Sequence, residues 1–242
     1  MLNPKSDTTT RIVGISSMAT RQVLAELADT YCQRSGVAVS FESVGGVDAA
    51  RRVQAGEPFD MVVLAADAID RLVASGHVVA DSRCDLVRSA VAIAVRAGAP
   101  KPDIGTEGAL LGAVLSARTL GYSTGPSGTA LTKLFERWGI ADSVRDKIVQ
   151  APPGVPVGQL VANGEVELGF QQRSELMHLS GIDVLGPMPP GCEIVTTFSA
   201  GLCATSAQPE AVRALLALMQ SPVAVDAMRR QGMESASAQG AD

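Results

Sequence analysis

The stretch that decides the fold lies near the start of the chain: RIVGISSMATRQVLAELADTYCQRSGVAVSFESVGG, residues 11–46. Residues 11–15 predict a short strand. A helix is expected from about residue 20 to residue 34, because apolar side chains recur there on one helical face. Gly36 should end that helix, since glycine is favoured just after a helix C-terminus. Residues 37–43 alternate as a second strand and lead into a loop of small residues.

The same order of strand, loop and helix repeats as far as residue 80. A short helix over 48–56 is followed by a buried apolar strand over 59–66. The next helix is expected to have Asp67 as its N-cap and Gly76 as its end. Three such units in succession predict a parallel sheet with right-handed crossovers, and therefore an α/β protein.

Composition narrows the class of protein further. The 242 residues are 46% hydrophobic but only 3% aromatic, which is typical of α/β proteins with buried parallel strands. A net charge of −5 argues against nucleic acid as a partner. It does not exclude an anionic ligand, because backbone N–H groups can bind one locally. No apolar stretch approaches the length of about 18 residues that predicts a membrane span.

The N-terminal residues bear on where in the cell the protein is expected. MLNPKSDTTTRIVGIS, residues 1–16, lacks the charged region and apolar run of a signal peptide. The chain as given is therefore expected to be cytoplasmic, or periplasmic if its N-terminus is processed or engineered.

Four cysteines form no CxxC pair and only two histidines are present, so neither a metal site nor a cofactor is expected.

Five loops at the predicted carboxyl ends of strands carry small polar residues or glycine. They are ISSMAT, ESVGGVD, YSTGPSGT, PPGVPVG and GFQQRS. Ligands of open α/β sheets bind at this edge, and hydroxyls with helix N-termini can hold an anion without lysine or arginine. The alternative is that these serines and threonines only cap helices. None of the loops contains GxxxxGK[ST], HExxH or GxSxG.

The sequence resembles the molybdate-binding type of solute-binding protein over about residues 11–233. Residues 11–78 match its strand–serine–helix opening, its AxRxxxG segment and its GxPxD segment, which leads to an AAD turn. GYSTGPSGTALTKLFERWGI (121–140) and VELGFQQRSEL (166–176) stand where the family has its third and fourth site loops.

This resemblance implies the type II periplasmic-binding fold. In that α/β fold, two lobes each contain a mainly parallel sheet flanked by helices, and the ligand binds in the cleft between them. Lobe one would comprise residues 1–84 and 199–242, and lobe two residues 85–198. LVRSAVAIAV (86–95) and VTTFSAGLCA (195–204) would be the crossover strands of the hinge. A monomer is expected, with a transporter as partner only if the chain is exported.

The resemblance also implies which residues contact the ligand, a small oxyanion or a di- or tricarboxylate. The family's tyrosine in the last loop is replaced by FQQ, residues 170–172. Ser123, Thr124, Ser127 and Gly128 are expected to face the cleft and to donate to the anion at the N-terminus of the helix that begins near Ser127. The implied ligand-binding residues are Ser16, Ser17, Ser43, Gly45, Gly46, Ser123, Thr124, Ser127, Gly128, Val155 and Gln171.

A second hypothesis follows from the isomerases of unsaturated tricarboxylates such as aconitate, to which the resemblance extends. Such a reaction moves one proton and needs a group that carries it. Glu42, Tyr122 and Arg173 adjoin the loops, although the favoured interpretation is a solvated charge for Glu42 and Arg173 and a packing residue for Tyr122. Since no obvious general base is present, a binding protein is favoured, whereas the missing secretion signal favours a cytoplasmic isomerase.

Overall fold

A computed structural model describes residues 11–236 of the protein. Its strands are β1 (Arg11–Ser17), β2 (Ala38–Val44), β3 (Met61–Ala65), β4 (Cys84–Arg96), β5 (Leu120–Tyr122), β6 (Ile148–Gln150), β7 (Leu168–Gln172), β8 (Ile182–Pro187), β9 (Val195–Leu202) and β10 (Met233–Ser235). Its α-helices are α1 (Arg21–Ser35), α2 (Gly46–Gln54), α3 (Ala66–Ala74), α4 (Glu107–Ser116), α5 (Pro126–Arg137), α6 (Ala141–Val144), α7 (Val157–Asn163), α8 (Arg173–Leu176), α9 (Pro209–Met219) and α10 (Pro222–Arg230).

The described strands form one mixed sheet in the order β2-β1-β3-β9-β4-β7-β5-β6, with β8 and β10 also paired to β4. β1 pairs in parallel with β2 and β3, and this confirms the parallel sheet predicted for the first 80 residues. β5 pairs in parallel with β6 and β7, whereas the pairs formed by β9 and β4 are antiparallel.

The 13-residue strand β4 connects the two parts of the sheet. Residues 84–90 pair with β9, and residues 91–94 pair with β7. On one side of β4, which we call the front face, Val87 packs in a first core with α1, α9 and α10. Val91 packs on the same face in a second core with α4 and α5. The opposite side, the back face, is covered by α2 and α3 in one part and by α7 and α8 in the other. The lobe boundaries expected from the sequence stay a prediction.

Local sequence accounts for most helix ends, with one correction. Gly36 adopts a φ of 73° at the end of α1, as expected for a C-terminal glycine. Asp67 is not the N-cap of α3, because the helix begins at Ala66 and Ala65 occupies the cap position. Its carboxylate lies in the first turn instead and pairs with Arg71 at 2.9 Å. An acidic side chain there still interacts favourably with the helix dipole.

Within residues 11–236, no single helix is both long and apolar enough to cross a membrane. α9 and α10 meet the length and composition test only as a pair, and they are bent by 69° at the break between them. Val212 and Leu215 of α9 and Met228 of α10 are buried in the first core.

Candidate ligand-binding site

The carboxyl ends of two sets of strands face each other across the middle of β4. β1 and β3 run in the same direction as β4, because both β3 and β4 are antiparallel to β9. β7 is antiparallel to β4, and β5 runs parallel to β7. The loops after these strands therefore converge from both sides on one space, which we call the cleft.

On the first side of the cleft, two serine hydroxyls are joined. Ser16 of β1 lies opposite Ser43 of β2 in the sheet register, and their Oγ atoms are 2.9 Å apart. Ser16 is fully buried, and the alternation of β1 places it on the front face with Ile12. One hydrogen atom is shared between the two oxygens, so the other hydroxyl hydrogen stays free to donate to a ligand.

The helix N-termini at the cleft have no side-chain cap, as is also the case for other described helices such as α3, α9 and α10. Ser17 is at the cap position of the 3-10 helix Met18–Thr20, yet its side chain makes no capping hydrogen bond. Gly45 and Gly125 occupy the cap positions of α2 and α5 and have no side chain to cap with. By contrast, Thr106 caps α4 by accepting a hydrogen bond from the N–H of Ala109 at 3.1 Å. N–H groups in the first turns at the cleft are therefore left without a side-chain cap, as an anion site requires.

The loop after β5 folds closely against the start of α5. A Cβ atom added to Gly128 would lie 1.9 Å from the carbonyl oxygen of Ser123 and 2.9 Å from Cδ2 of Tyr122. Only glycine fits this position without a shift of the backbone. Ser127 is buried in the same turn, whereas Ser123 is half-buried and Thr124 exposed.

Val155 and Gln171, two of the residues implied by the resemblance, use their polar groups within the protein. The N–H of Val155 donates to the carbonyl oxygen of Pro152 at 3.0 Å. The amide oxygen of Gln171 accepts from the N–H of Gly158 at 3.1 Å, and its nitrogen donates to Glu175 at 2.7 Å. Gln171 lies on the back face, beneath the first turn of α7.

The three candidate catalytic residues lie in different surroundings. Glu42 is exposed and bound by Arg52 at 2.5 and 3.0 Å, and this pairing lowers the pKa of its carboxyl. Tyr122 is buried at the end of β5, in the second core. Arg173 is exposed at the start of α8 and lies beside Gly232.

Sequence reasoning missed Glu175, whose pKa is raised to about 7 because burial of the carboxyl outweighs the hydrogen bond from Gln171. It also missed a polar group on the front face. Gln172 donates from Nε2 to Oγ1 of Thr196 at 2.8 Å, and Ser89 lies directly opposite Thr196 in the sheet. The alternation of FQQ gave a signal, because it places Gln172, and not Gln171, on the same face as Phe170.

No cluster of three or more His, Cys, Asp or Glu residues in the described part of the chain could hold a metal ion. The ring of each histidine is hydrogen-bonded to a polar side chain nearby. Nδ1 of His77 is 2.9 Å from the hydroxyl of Ser75, and Nε2 of His178 is 2.6 Å from the amide oxygen of Gln231.

Residues 12–234 match the family model described as bacterial extracellular solute-binding protein. The chain belongs to this family. Among curated proteins of similar sequence is an aconitate isomerase from Pseudomonas sp., which is 38% identical over 236 residues, or 95% of this chain and 90% of that protein.

Solved structures of the family's fold are similar over nearly the whole chain. The periplasmic molybdate-binding protein of Azotobacter vinelandii superposes with a TM-score of 0.77 and 19% identity, over 92% of this chain and 98% of that one. The sulfate-binding protein SubI of Mycobacterium tuberculosis H37Rv superposes with a TM-score of 0.78 and 18% identity, over 95% and 88%. These similarities confirm the predicted periplasmic-binding fold.

Proposed function

We propose that the protein binds an unsaturated tricarboxylate of the aconitate type in the cleft and isomerises it by moving one proton. The observation that carries this proposal is the 38% identity to an aconitate isomerase over 95% of the chain. The candidate anion site at the cleft, which is built from neutral groups, supports it, because hydroxyls and uncapped helix ends suit carboxylates as well as inorganic oxyanions.

The hydroxyl-rich loops would hold the charged carboxylates. The paired hydroxyls of Ser16 and Ser43 approach from one side, and the α5 loop around Ser127 approaches from the other. A helix end that binds an anion contributes about 0.3–1 kcal/mol when exposed and up to about 2 kcal/mol when partly buried. Several such ends together with neutral donors could reach micromolar affinity, which corresponds to about −8.2 kcal/mol.

Isomerisation of such a ligand needs a proton carrier and no other reactant. One C–H bond breaks at the methylene carbon, the double bond shifts by one carbon, and a new C–H bond forms at the former alkene carbon. Glu175 has a pKa of about 7, which would suit a general base and acid near neutral pH, but its carboxyl bonds to Gln171 on the back face, so we assign the proton transfer to no single residue. Glu42 is less suited, since its pairing with Arg52 stabilises the charged carboxylate.

A second candidate function is binding without chemistry. It is favoured by the position of Glu175, whose carboxyl bonds to Gln171 on the back face, away from the Ser16–Ser43 pair. In that case the raised pKa of Glu175 is a consequence of its burial alone.

Proton NMR in D₂O separates the two functions. The protein is incubated with cis-aconitate, and the appearance of trans-aconitate carrying one deuterium is followed over time. Our proposal requires that the parent protein both binds cis-aconitate, as measured by calorimetry, and interconverts it with trans-aconitate. Binding without interconversion in the parent protein would establish the second candidate, and a protein that binds sulfate or molybdate but no tricarboxylate would refute the proposal.

A further inference from the structure

A buried polar group lies between the two hydrophobic cores. On the front face of β4, Val87 belongs to the first core and Val91 to the second, with Ser89 between them. Thr196 lies opposite Ser89, and Gln172 lies opposite Val91, so all three polar side chains share this face. We call Ser89, Gln172 and Thr196 the polar floor.

The polar floor lies between the two sides of the cleft. Ser16 near the end of β1 is level, through β3, with Ala200 of β9, four residues from Thr196. On the other side, Phe170 of β7 is level with Ile93 of β4, four residues from Ser89. β3 ends at Ala65, which is level with Phe198, two residues from Thr196, and β7 ends at Gln172 itself, so the floor lies between the carboxyl ends of the two sets of strands.

Two atoms of the polar floor have hydrogen-bonding capacity that the described protein does not use. Ser89 is 0% exposed and Gln172 is 4% exposed. Within residues 11–236, neither Oγ of Ser89 nor Oε1 of Gln172 has a hydrogen-bond partner. A buried polar atom left unpaired costs on the order of 1–3 kcal/mol, and native proteins rarely leave one without a purpose.

The chemistry of these two atoms selects the kind of group that would satisfy them. With its Nε2 directed to Thr196, Gln172 presents a carbonyl oxygen, which only accepts hydrogen bonds. The Ser89 hydroxyl can donate. A hydroxyl or an un-ionised carboxyl group can donate to Gln172 and accept from Ser89 at the same time. A fully ionised sulfate or molybdate carries no proton to donate.

We propose that the polar floor is a subsite for the neutral polar group of an organic acid, either a hydroxyl or an un-ionised carboxyl. The charged carboxylates of the same ligand would bind at the hydroxyl-rich loops on either side. This inference rests on the proposed function, and it narrows the ligand to acids that carry one neutral donor group beside their charged groups.

Ser89→Ala is the variant that tests the subsite, with cis-aconitate, citrate and sulfate as calorimetric probes. Removal of one unpaired hydroxyl should leave the fold intact and keep or raise the melting temperature. We expect binding of cis-aconitate and citrate to weaken about five- to tenfold, because a hydrogen bond of about 1 kcal/mol is lost. Any binding of sulfate should stay the same.

Ser199→Ala serves as the matched control on the neighbouring strand. Ser199 is also 0% exposed, but its hydroxyl donates to Asp85 at 2.6 Å. This variant should lose stability and keep the parent's affinity for all three probes.

The results for the variant and for the parent protein test the subsite and the proposed function separately. If Ser89→Ala binds cis-aconitate and citrate as tightly as the parent, the polar floor is structural and the subsite is refuted, while the proposed function stands. If the parent binds neither acid, the proposed function and the subsite are both refuted. Capture of an un-ionised carboxyl should be accompanied by uptake of a proton from solvent when cis-aconitate binds. Calorimetry in buffers of different ionisation enthalpy measures this uptake, and the Glu175→Gln background removes any proton taken up by Glu175. Binding of citrate without proton uptake would show that the polar floor binds the hydroxyl.

Discussion

The hydroxyl of Ser174 donates to the carbonyl oxygen of Ala19 at 2.9 Å, although 155 residues separate the two along the chain. Ala19 follows β1 and packs in the first core, whereas Ser174 lies in α8 directly after β7. Both residues are buried. This bond joins the two sides of the cleft, so it exists only when the two sides are close together.

Ser174→Ala should therefore favour a more open arrangement. We expect ligand affinity to fall about three- to tenfold, because closure loses a hydrogen bond of about 1 kcal/mol. Calorimetry measures the affinity, and small-angle X-ray scattering should show a larger radius of gyration. Ser75→Ala is the control, since that hydroxyl also donates to a backbone carbonyl, that of Arg71, but within one helix. Equal affinities of Ser174→Ala and the parent would contradict a role in closure.

Ser17→Ala and Ser127→Ala should each weaken binding of a tricarboxylate about ten- to a hundredfold. Hydrogen bonds to charged groups contribute about 1.5–3 kcal/mol, and neither side chain is needed to cap a helix. Thr106→Ala provides the contrast, because it removes the cap of α4 and should cost about 1 kcal/mol of stability without affecting affinity. A variant that binds like the parent would remove that serine from the site.

Gly128→Ala should disrupt the loop before α5. The added Cβ would overlap the carbonyl oxygen of Ser123, a backbone atom that cannot move aside cheaply. We expect a loss of about 1–3 kcal/mol in the free energy of unfolding, together with weaker anion binding. Gly112→Ala in α4 meets nothing within 4 Å and should instead stabilise the protein by up to about 1 kcal/mol. Denaturant titrations of both variants compare the two, and a Gly128→Ala protein as stable as the parent would show that the loop can relax.

Glu175 should make the stability of the protein depend on pH. Its pKa is raised to about 7 in the folded protein, from 4.5 for an unperturbed glutamate. Between these values the folded state binds more protons than the unfolded state, so stability falls as pH rises from about 4.5 to 7. Glu175→Gln removes this effect. Unfolding free energies at pH 5 and pH 8 should therefore differ less in the variant than in the parent, and equal differences would place the titration elsewhere.

The sequence was sufficient to predict the elements whose pattern is local. The strand–helix units of the first 80 residues follow from apolar periodicity, and Gly36 follows from its position after α1. The three-residue strands β6 and β10 were not predicted, because so short a segment is a strand only through its partners. Asp67, expected at the N-cap of α3, lies two residues after the observed cap Ala65 for a similar reason, since the preceding strand decides where α3 begins.

The sequence indicates where a ligand would be expected to bind, but not which polar atoms at that place are free to bind it. Loops of small polar residues indicate the edge of the sheet where a ligand would bind, and the structure brings the Ser16 and Ser43 hydroxyls together there. Whether a polar atom is already used depends on distant residues. The N–H of Val155 is taken by Pro152, and both ends of the Gln171 amide are occupied, neither of which the sequence pattern could reveal.

The composition of the two cores has a consequence for how the chain folds during its synthesis. The first core needs residues from both chain ends, from Ile12 through Val87 and again from Phe198 through Met233. The second core is built entirely from Val91 to Ile194. On the ribosome, the second core can therefore assemble while the early strands still lack α9, α10 and β9. The front face of the N-terminal strands therefore has to wait for the last part of the chain, and during that delay its apolar side chains lack the partners that α9, α10 and β9 supply.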